Sequence, residues 1–151
     1  NLGVCYERGE GVEQDYKKAA YWYQKSAEQG YASGQNNLGG CYGDGWGVTQ
    51  DYAQAAYWYS KSAEQGHVLG QYNLGVCYAK GLGVPQDYVK AVYWYTKAAE
   101  QGGEFAQYNL ALTYYNGQGV AVDTAKARYW LQKAADQGNE KAKSALEEWF
   151  K

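Results

Sequence analysis

The sequence predicts an all-α fold, a right-handed α/α superhelix of about four 36-residue helix pairs closed by a C-terminal capping helix. Three observations lead there. The phrase "YWYQKSAEQG" from Tyr21 returns as "YWYSKSAEQG" from Tyr57, "YWYTKAAEQG" from Tyr93 and "YWLQKAADQG" from Tyr129, always 36 residues on. The same shift superimposes Leu2, Leu38, Leu74 and Leu110, then Gly9, Gly45, Gly81 and Gly117, then Asp15, Asp51, Asp87 and Asp123. Within a unit the packing residues follow i, i+3, i+4, i+7: Gln35, Leu38, Gly39 and Tyr42, then Ala55, Trp58, Tyr59 and Ser62, so each unit is a pair of helices. A fixed period between about 20 and 50 residues marks a stacked array, in which each unit buries its apolar side only against its neighbours.

The expected units are approximately 1–30, 31–66, 67–102 and 103–138, with 139–151 as the capping helix and 1–151 as a single solenoid. Helix A of each unit ends in a glycine-rich turn such as "GDGWGVTQD", where Gly45 and Gly47 can take positive φ. Asp51 and its three equivalents then offer a carboxylate to the free amides that open helix B. Pro85 falls just before a helix B, where its missing N–H does little harm. Helix B ends at Gly30, Gly66, Gly102 and Gly138, each preceded by glutamine. Asn1 aligns with Asn37, inside helix A, so the first unit is expected to be an excerpt lacking the start of that helix. At the other end Glu147 takes the place of Gly39 and Gly75, and Arg128 that of Ala20, Ala56 and Val92. A charged face with no following helix B is the expected cap and end of the array.

The second unit, "QNNLGGCYGDGWGVTQDYAQAAYWYSKSAEQG", resembles the Sel-one-like repeat (SLR) family, relatives of the tetratricopeptide repeats. Leu38, Gly39, Tyr42, Gly45, Gly47, Val48, Asp51, Ala55, Trp58, Lys61, Ala63 and Gly66 stand at the family's positions, and the resemblance covers essentially the whole chain. The repeated aromatic phrase then reads mainly as core. Trp22, Trp58, Trp94 and Trp130 are expected on the inward face of helix B, each contributing roughly 1.5–3 kcal/mol by burial, with neighbouring alanines and glycines admitting close helix approach.

Composition narrows the function. The net charge of −2 is small and of the wrong sign for a phosphate-backbone binder, so nucleic acid is not an expected partner. No run of about 18 apolar residues exists, so no membrane insertion is expected and the chain reads as soluble, its compartment unknown. The single histidine, His67, follows a helix-ending glycine and is expected to be a solvated turn residue. Cys5, Cys41 and Cys77 recur with the period, roughly 9–10 Å apart by helix-packing distances and beyond disulfide reach, so they are expected as free thiols. The family's cysteine-rich branch staples its helix pairs with paired cysteines, but one cysteine per unit does not support that here, and Thr113 replaces the fourth. The glycine turns lack the strand and lysine of a phosphate loop. Periodic aspartates supply one group over and over, whereas catalysis needs different groups converging. No cofactor, no metal and no catalytic residue are expected.

The site must then be a surface. In helix-pair solenoids helix A lines the concave side, and at 100° per residue positions 33, 37, 40 and 44 face away from its packing stripe, with 36 at the edge. In the second unit these are Ser33, Asn36, Asn37, Gly40 and Asp44. Across the units, Asn37, Asn73 and Asn109 form a ladder of amides able to bond an extended backbone. Leu69, Tyr72, Val76, Phe105, Tyr108 and Leu112 form an aromatic and aliphatic patch beside them. Arg8, Asp44, Lys80 and Asn116 differ most between units and are expected to set partner choice by charge. Tyr21, Tyr57, Tyr93 and Tyr129 point away from the buried arc of helix B as a second surface, for a convex contact, self-association or inter-repeat stacking. The resemblance implies a non-catalytic scaffold or adaptor holding a protein or peptide segment, expected as a monomer. Alternatives are a β-lactam-binding or β-lactam-hydrolysing enzyme, as linked to the cysteine-rich branch, and a structural spacer in a larger repeat protein.

Overall fold

The computed structural model describes residues 2–151. Among them the secondary structure is nine helices and no strands: α1 Leu2–Arg8, α2 Tyr16–Glu28, α3 Ala32–Asp44, α4 Tyr52–Glu64, α5 Val68–Lys80, α6 Tyr88–Glu100, α7 Glu104–Asn116, α8 Thr124–Asp136 and α9 Glu140–Trp149. Each helix packs on the next in sequence, and α3 also touches α5. The odd-numbered helices therefore share one face of a solenoid and α9 closes it.

The boundaries follow the local chemistry. The carboxylates of Asp15, Asp51, Asp87 and Asp123 accept the backbone N–H three residues on at 3.1, 3.1, 3.0 and 2.9 Å, satisfying a donor that the first helical turn leaves free. That hydrogen bond, from the Lys18 amide, is the main cause holding the Asp15 carboxyl below the usual range. The odd-numbered helices α3, α5 and α7 stop at Gly45, Gly81 and Gly117, with φ of 73°, 68° and 68°. His67 is not a solvated turn residue. It is half-buried at the start of α5, its Nδ1 accepts the Gly70 N–H at 3.1 Å, and burial lowers its pKa.

The core corrects the expectation for the tryptophans. In α2 the buried residues are Ala19, Ala20, Tyr23 and Ala27. At 100° per residue Trp22 stands about 110° from the middle of that arc, and it is 37% exposed. Trp58, Trp94 and Trp130 are half-buried. The side chain that enters the core is the next one along: Tyr23 and Tyr95 are 1% and 3% exposed and Leu131 is 0% exposed, with Tyr59 half-buried at the equivalent place. Trp58 packs against the cluster of Tyr23, Ala27 and Leu38, and Trp130 against that of Tyr95, Ala99 and Leu110, so the indoles bridge from one unit to the preceding one.

Glutamines join the units at the same seam. Gln65 donates from Nε2 to the Gly30 carbonyl at 2.9 Å and to Gln35 Oε1 at 2.7 Å. Gln101 and Gln137 repeat this with Gly66 and Gln71 and with Gly102 and Gln107. The acceptors Gln35, Gln71 and Gln107 are buried, and each turns its own Nε2 to a carbonyl of the preceding helix. Beyond α8, Trp149 stacks on Tyr115 at 4.2 Å, and the Arg128 guanidinium lies 5.7 Å from the centre of the Phe150 ring. Arg128 thereby covers a terminal aromatic ring.

Candidate functional site

The residues opposite the packing stripe of α3, α5 and α7 lie at the surface of the odd-helix face. Leu69 and Phe105 are 48% and 51% exposed. Tyr72, Val76, Tyr108, Leu112 and all three ladder asparagines are half-buried, and Lys80 and Asn116 are exposed. Two recesses indent the face. One, of about 340 Å³, is lined by Tyr72, Phe105, Tyr108 and Asn109 with Glu104, Gly138, Asn139, Glu140 and Lys141. It adjoins a further hollow of about 330 Å³ that shares Tyr108, Glu140 and Lys141 and extends to Trp149. The other recess, of about 270 Å³, spans α1, α3 and α5 and contains Asn36, Asn37 and Asn73 beside Glu7, Asp44 and Tyr59. Leu69, Val76, Lys80, Leu112 and Asn116 line neither recess.

The amide ladder is partly engaged within the fold. Asn73 Nδ2 donates to Asn36 Oδ1 at 3.0 Å, and Asn36 Nδ2 lies 3.4 Å from Asn37 Oδ1, so these side chains link α5 to α3. Asn109 lies beside the hydroxyls of Tyr72 and Tyr95, where its side chain partly offsets the effect of burial on them. Asn36, Asn37 and Asn73 therefore tie α3 to α5 as well as bordering the recess there. Tyr72 lies 5.9 Å from Phe105 and 6.2 Å from Tyr95, ring centre to ring centre, which supports the aromatic recess from behind. Burial raises the pKa of both Tyr72 and Tyr95, so both hydroxyls keep their protons at neutral pH.

Electrostatics distinguish the two ends. Around the recess at α3, the Cys41 thiol is pushed up to about 11, first by burial and then by the charges of Glu7 and Asp44. Glu7 also accepts the Tyr23 hydroxyl. Cys77 is likewise raised to about 11 by burial. Such thiols are protonated at neutral pH and are poor nucleophiles. Cys5, Cys41 and Cys77 are free. Among the described residues no group of three or more His, Cys, Asp or Glu is placed to hold a metal ion, and no helix is long and apolar enough to cross a membrane.

The even-helix face bears the other predicted row. Tyr21, Tyr57, Tyr93 and Tyr129 are 54, 52, 54 and 53% exposed. Each meets the following tryptophan edge to face at 5.0–5.3 Å. The lysine four residues on lies 5.1–5.7 Å above each tyrosine ring. These contacts are internal to each helix and identical in every unit.

The glutamine seam and the recess built around Gly40 and Trp46 were not foreseen as units. The signals were present, as a glutamine before every helix-ending glycine and as Gly40, Asp44 and Trp46, which break the period, but only the fold brings them together.

The Sel1 repeat family model matches residues 1–31, 32–67, 68–103 and 105–139. Among solved structures, a Sel1 repeat protein from Oxalobacter formigenes is 37% identical with a TM-score of 0.84, over 93% of this chain and 58% of its own. A protective antigen of uropathogenic Escherichia coli displaying an SLR fold is 36% identical with a TM-score of 0.65, over 99% and 40%. Helicobacter pylori cysteine rich protein B is 28% identical with a TM-score of 0.69, over 91% and 99%. The chain thus spans about half the length of the first two. A comparison with curated protein sequences found no match.

Proposed function

We propose, since the chain belongs to the Sel1 repeat family, that it is a non-catalytic scaffold holding an extended protein or peptide segment along the face of its odd-numbered helices. Sel1 repeats generally mediate protein–protein interactions, and the family is generally non-enzymatic. The observation that favours this face is the aromatic recess of Tyr72, Phe105 and Tyr108, in which the Tyr72 ring packs against both Tyr95 and Phe105 while Phe105 remains exposed. Rigid aromatic side chains at a partly desolvated recess are what a binding hot spot requires, because little side-chain entropy is lost on contact. The Tyr, Trp and Lys contacts of the opposite face are the same in every unit; recesses of about 540 and 300 Å³ lie there around Tyr129, but each has only two aromatic side chains in its lining, against three in the recess of Tyr72, Phe105 and Tyr108.

Chemistry does not compete well with this reading. Cys41 lines a recess, but its raised pKa keeps it protonated, the reverse of what a nucleophile needs. The His67 Nδ1 lone pair is occupied by the Gly70 amide.

Selection of displayed random peptides on the intact chain tests the proposal. Enriched peptides should bind Phe105→Ser/Tyr108→Ser at least about tenfold more weakly, while Tyr57→Ser/Tyr93→Ser retains them. Melting curves verify that both variants fold. Full retention by the first variant, with loss in the second, overturns the proposal.

A further inference from the structure

We propose that the recess spanning α1, α3 and α5 receives a guanidinium, the side chain of an arginine in the bound segment; this rests on the scaffold reading and specifies one position of the ligand. The first argument is where the chain departs from its own period. Asp44 stands where the other units have Arg8, Lys80 and Asn116, and Trp46 where they have Glu10, Leu82 and Gln118. Gly40 replaces Val4, Val76 and Leu112, and Gly43 stands against Glu7, Ala79 and Tyr115. Gly40, Asp44 and Trp46 meet at one recess, which Glu7 of the first unit also lines.

The second argument is steric. Gly40 and Gly43 lie inside α3, where glycine weakens a helix relative to alanine. Packing does not demand them. A Cβ on Gly40 would meet only the Tyr59 hydroxyl at 3.8 Å, and one on Gly43 the same oxygen at 3.7 Å and Ala55 Cβ at 3.8 Å, all ordinary contacts. Gly39 is different, since its Cβ would fall 2.7 Å from the Tyr59 ring. The two unforced glycines leave the Tyr59 hydroxyl uncovered where a valine or a larger side chain would close it off.

The third argument is chemical. Glu7, Asp44, Asn37 Oδ1 and the Tyr59 oxygen offer acceptors around the recess, and no lysine or arginine lines it. Arg8, the next residue along α1, turns to Glu10 at 3.6 Å. A guanidinium carries five donors in a plane, matching several acceptors at once, and its face can lie on the Trp46 indole, which is 44% exposed. The aromatic recess at the other end has three aromatic side chains in its lining beside Glu104, Glu140 and Lys141, and so offers an apolar side chain contacts that the recess at α3 does not.

The test uses Nα-acetyl-arginine amide as probe and Nα-acetyl-citrulline amide as its neutral counterpart, with the whole chain observed by NMR. The arginine probe should shift the Trp46 indole N–H and the side-chain amide signals of Asn36, Asn37 and Asn73, with citrulline at least about fivefold weaker. Asp44→Asn should weaken the arginine response by a similar factor. Gly40→Val should abolish it while raising the melting temperature by about 3 °C, because a better helix former fills the space. Absence of shifts, equal shifts from citrulline, or an undiminished response in Gly40→Val overturns the assignment. If selected peptides still depend on Phe105 and Tyr108 in that case, the scaffold reading stands and only the guanidinium is wrong.

Discussion

Tyr95 lies with its ring over Gly75, so that a Cβ there would fall 2.6 Å from Cδ1 and Cε1 of the ring. Tyr59 over Gly39 and Tyr23 over Gly3 repeat the pair, with 2.7 and 2.5 Å. In the fourth unit the same place holds Leu131 beside Ala111, both fully buried. The volume lost by replacing tyrosine with leucine is thus partly restored by adding a methyl to the facing helix, which keeps the interior at close-packed density. Gly75→Ala should destabilise the chain by about 1–3 kcal/mol in urea unfolding. Adding Tyr95→Leu should recover most of that loss; if the two costs simply add, the pairing is not the constraint we describe. The helical period was enough to find this stripe in the sequence but not to choose between adjacent aromatics. Trp58 and Tyr59 both fall on the stripe at helical spacing, and the angle around the helix decides that Tyr23 and Tyr95, rather than the tryptophans before them, are fully buried. His67 was missed for a related reason, since capping depends on backbone angles at the first residue, which composition does not reveal.

At the level of elements, one contact repeats between the glycine turns after α3, α5 and α7 and the opening of an earlier helix B. Gly83 has φ of 70°, and a Cβ on it would fall 2.0 Å from the Tyr52 carbonyl oxygen at the start of α4. Gly47 meets Tyr16 of α2 in the same way, at 2.1 Å. Gly11 has a similar φ of 75° but nothing within 4 Å. These positions separate conformational strain from inter-unit packing. Gly11→Ala should cost about 1–2 kcal/mol through backbone strain alone. Gly83→Ala should cost about 3 kcal/mol or more, because two units must also move apart. Equal losses of stability in the two variants would mean that the turn does not help to set the stacking. The turns, the aspartate caps and the helix order were legible in the sequence because each depends on a few neighbouring residues. The glutamine seam was not, because Gln65 reaches both its own helix pair and Gly30 of the unit before.

Across the whole molecule, identical interior contacts make the stack, and departures from identity mark the surface that can discriminate among partners. The period alone was sufficient for the fold, since four copies of one phrase leave few ways to bury their apolar sides. The candidate face was legible as an arc of α3, α5 and α7, but its recesses were not. They arise between successive odd-numbered helices, and Lys141 and Trp149 enter from α9, far along the chain. The asparagine ladder also proved to serve the fold, through the bond of Asn73 to Asn36, which no reading of one helix at a time would find.

The most direct test of the scaffold account is the NMR footprint of a selected peptide on the backbone amides of the chain. The account predicts shifts confined to α1, α3, α5, α7 and α9, largest around Tyr72, Phe105 and Tyr108. A footprint along α2, α4, α6 and α8, centred on Tyr57 and Tyr93, would contradict it.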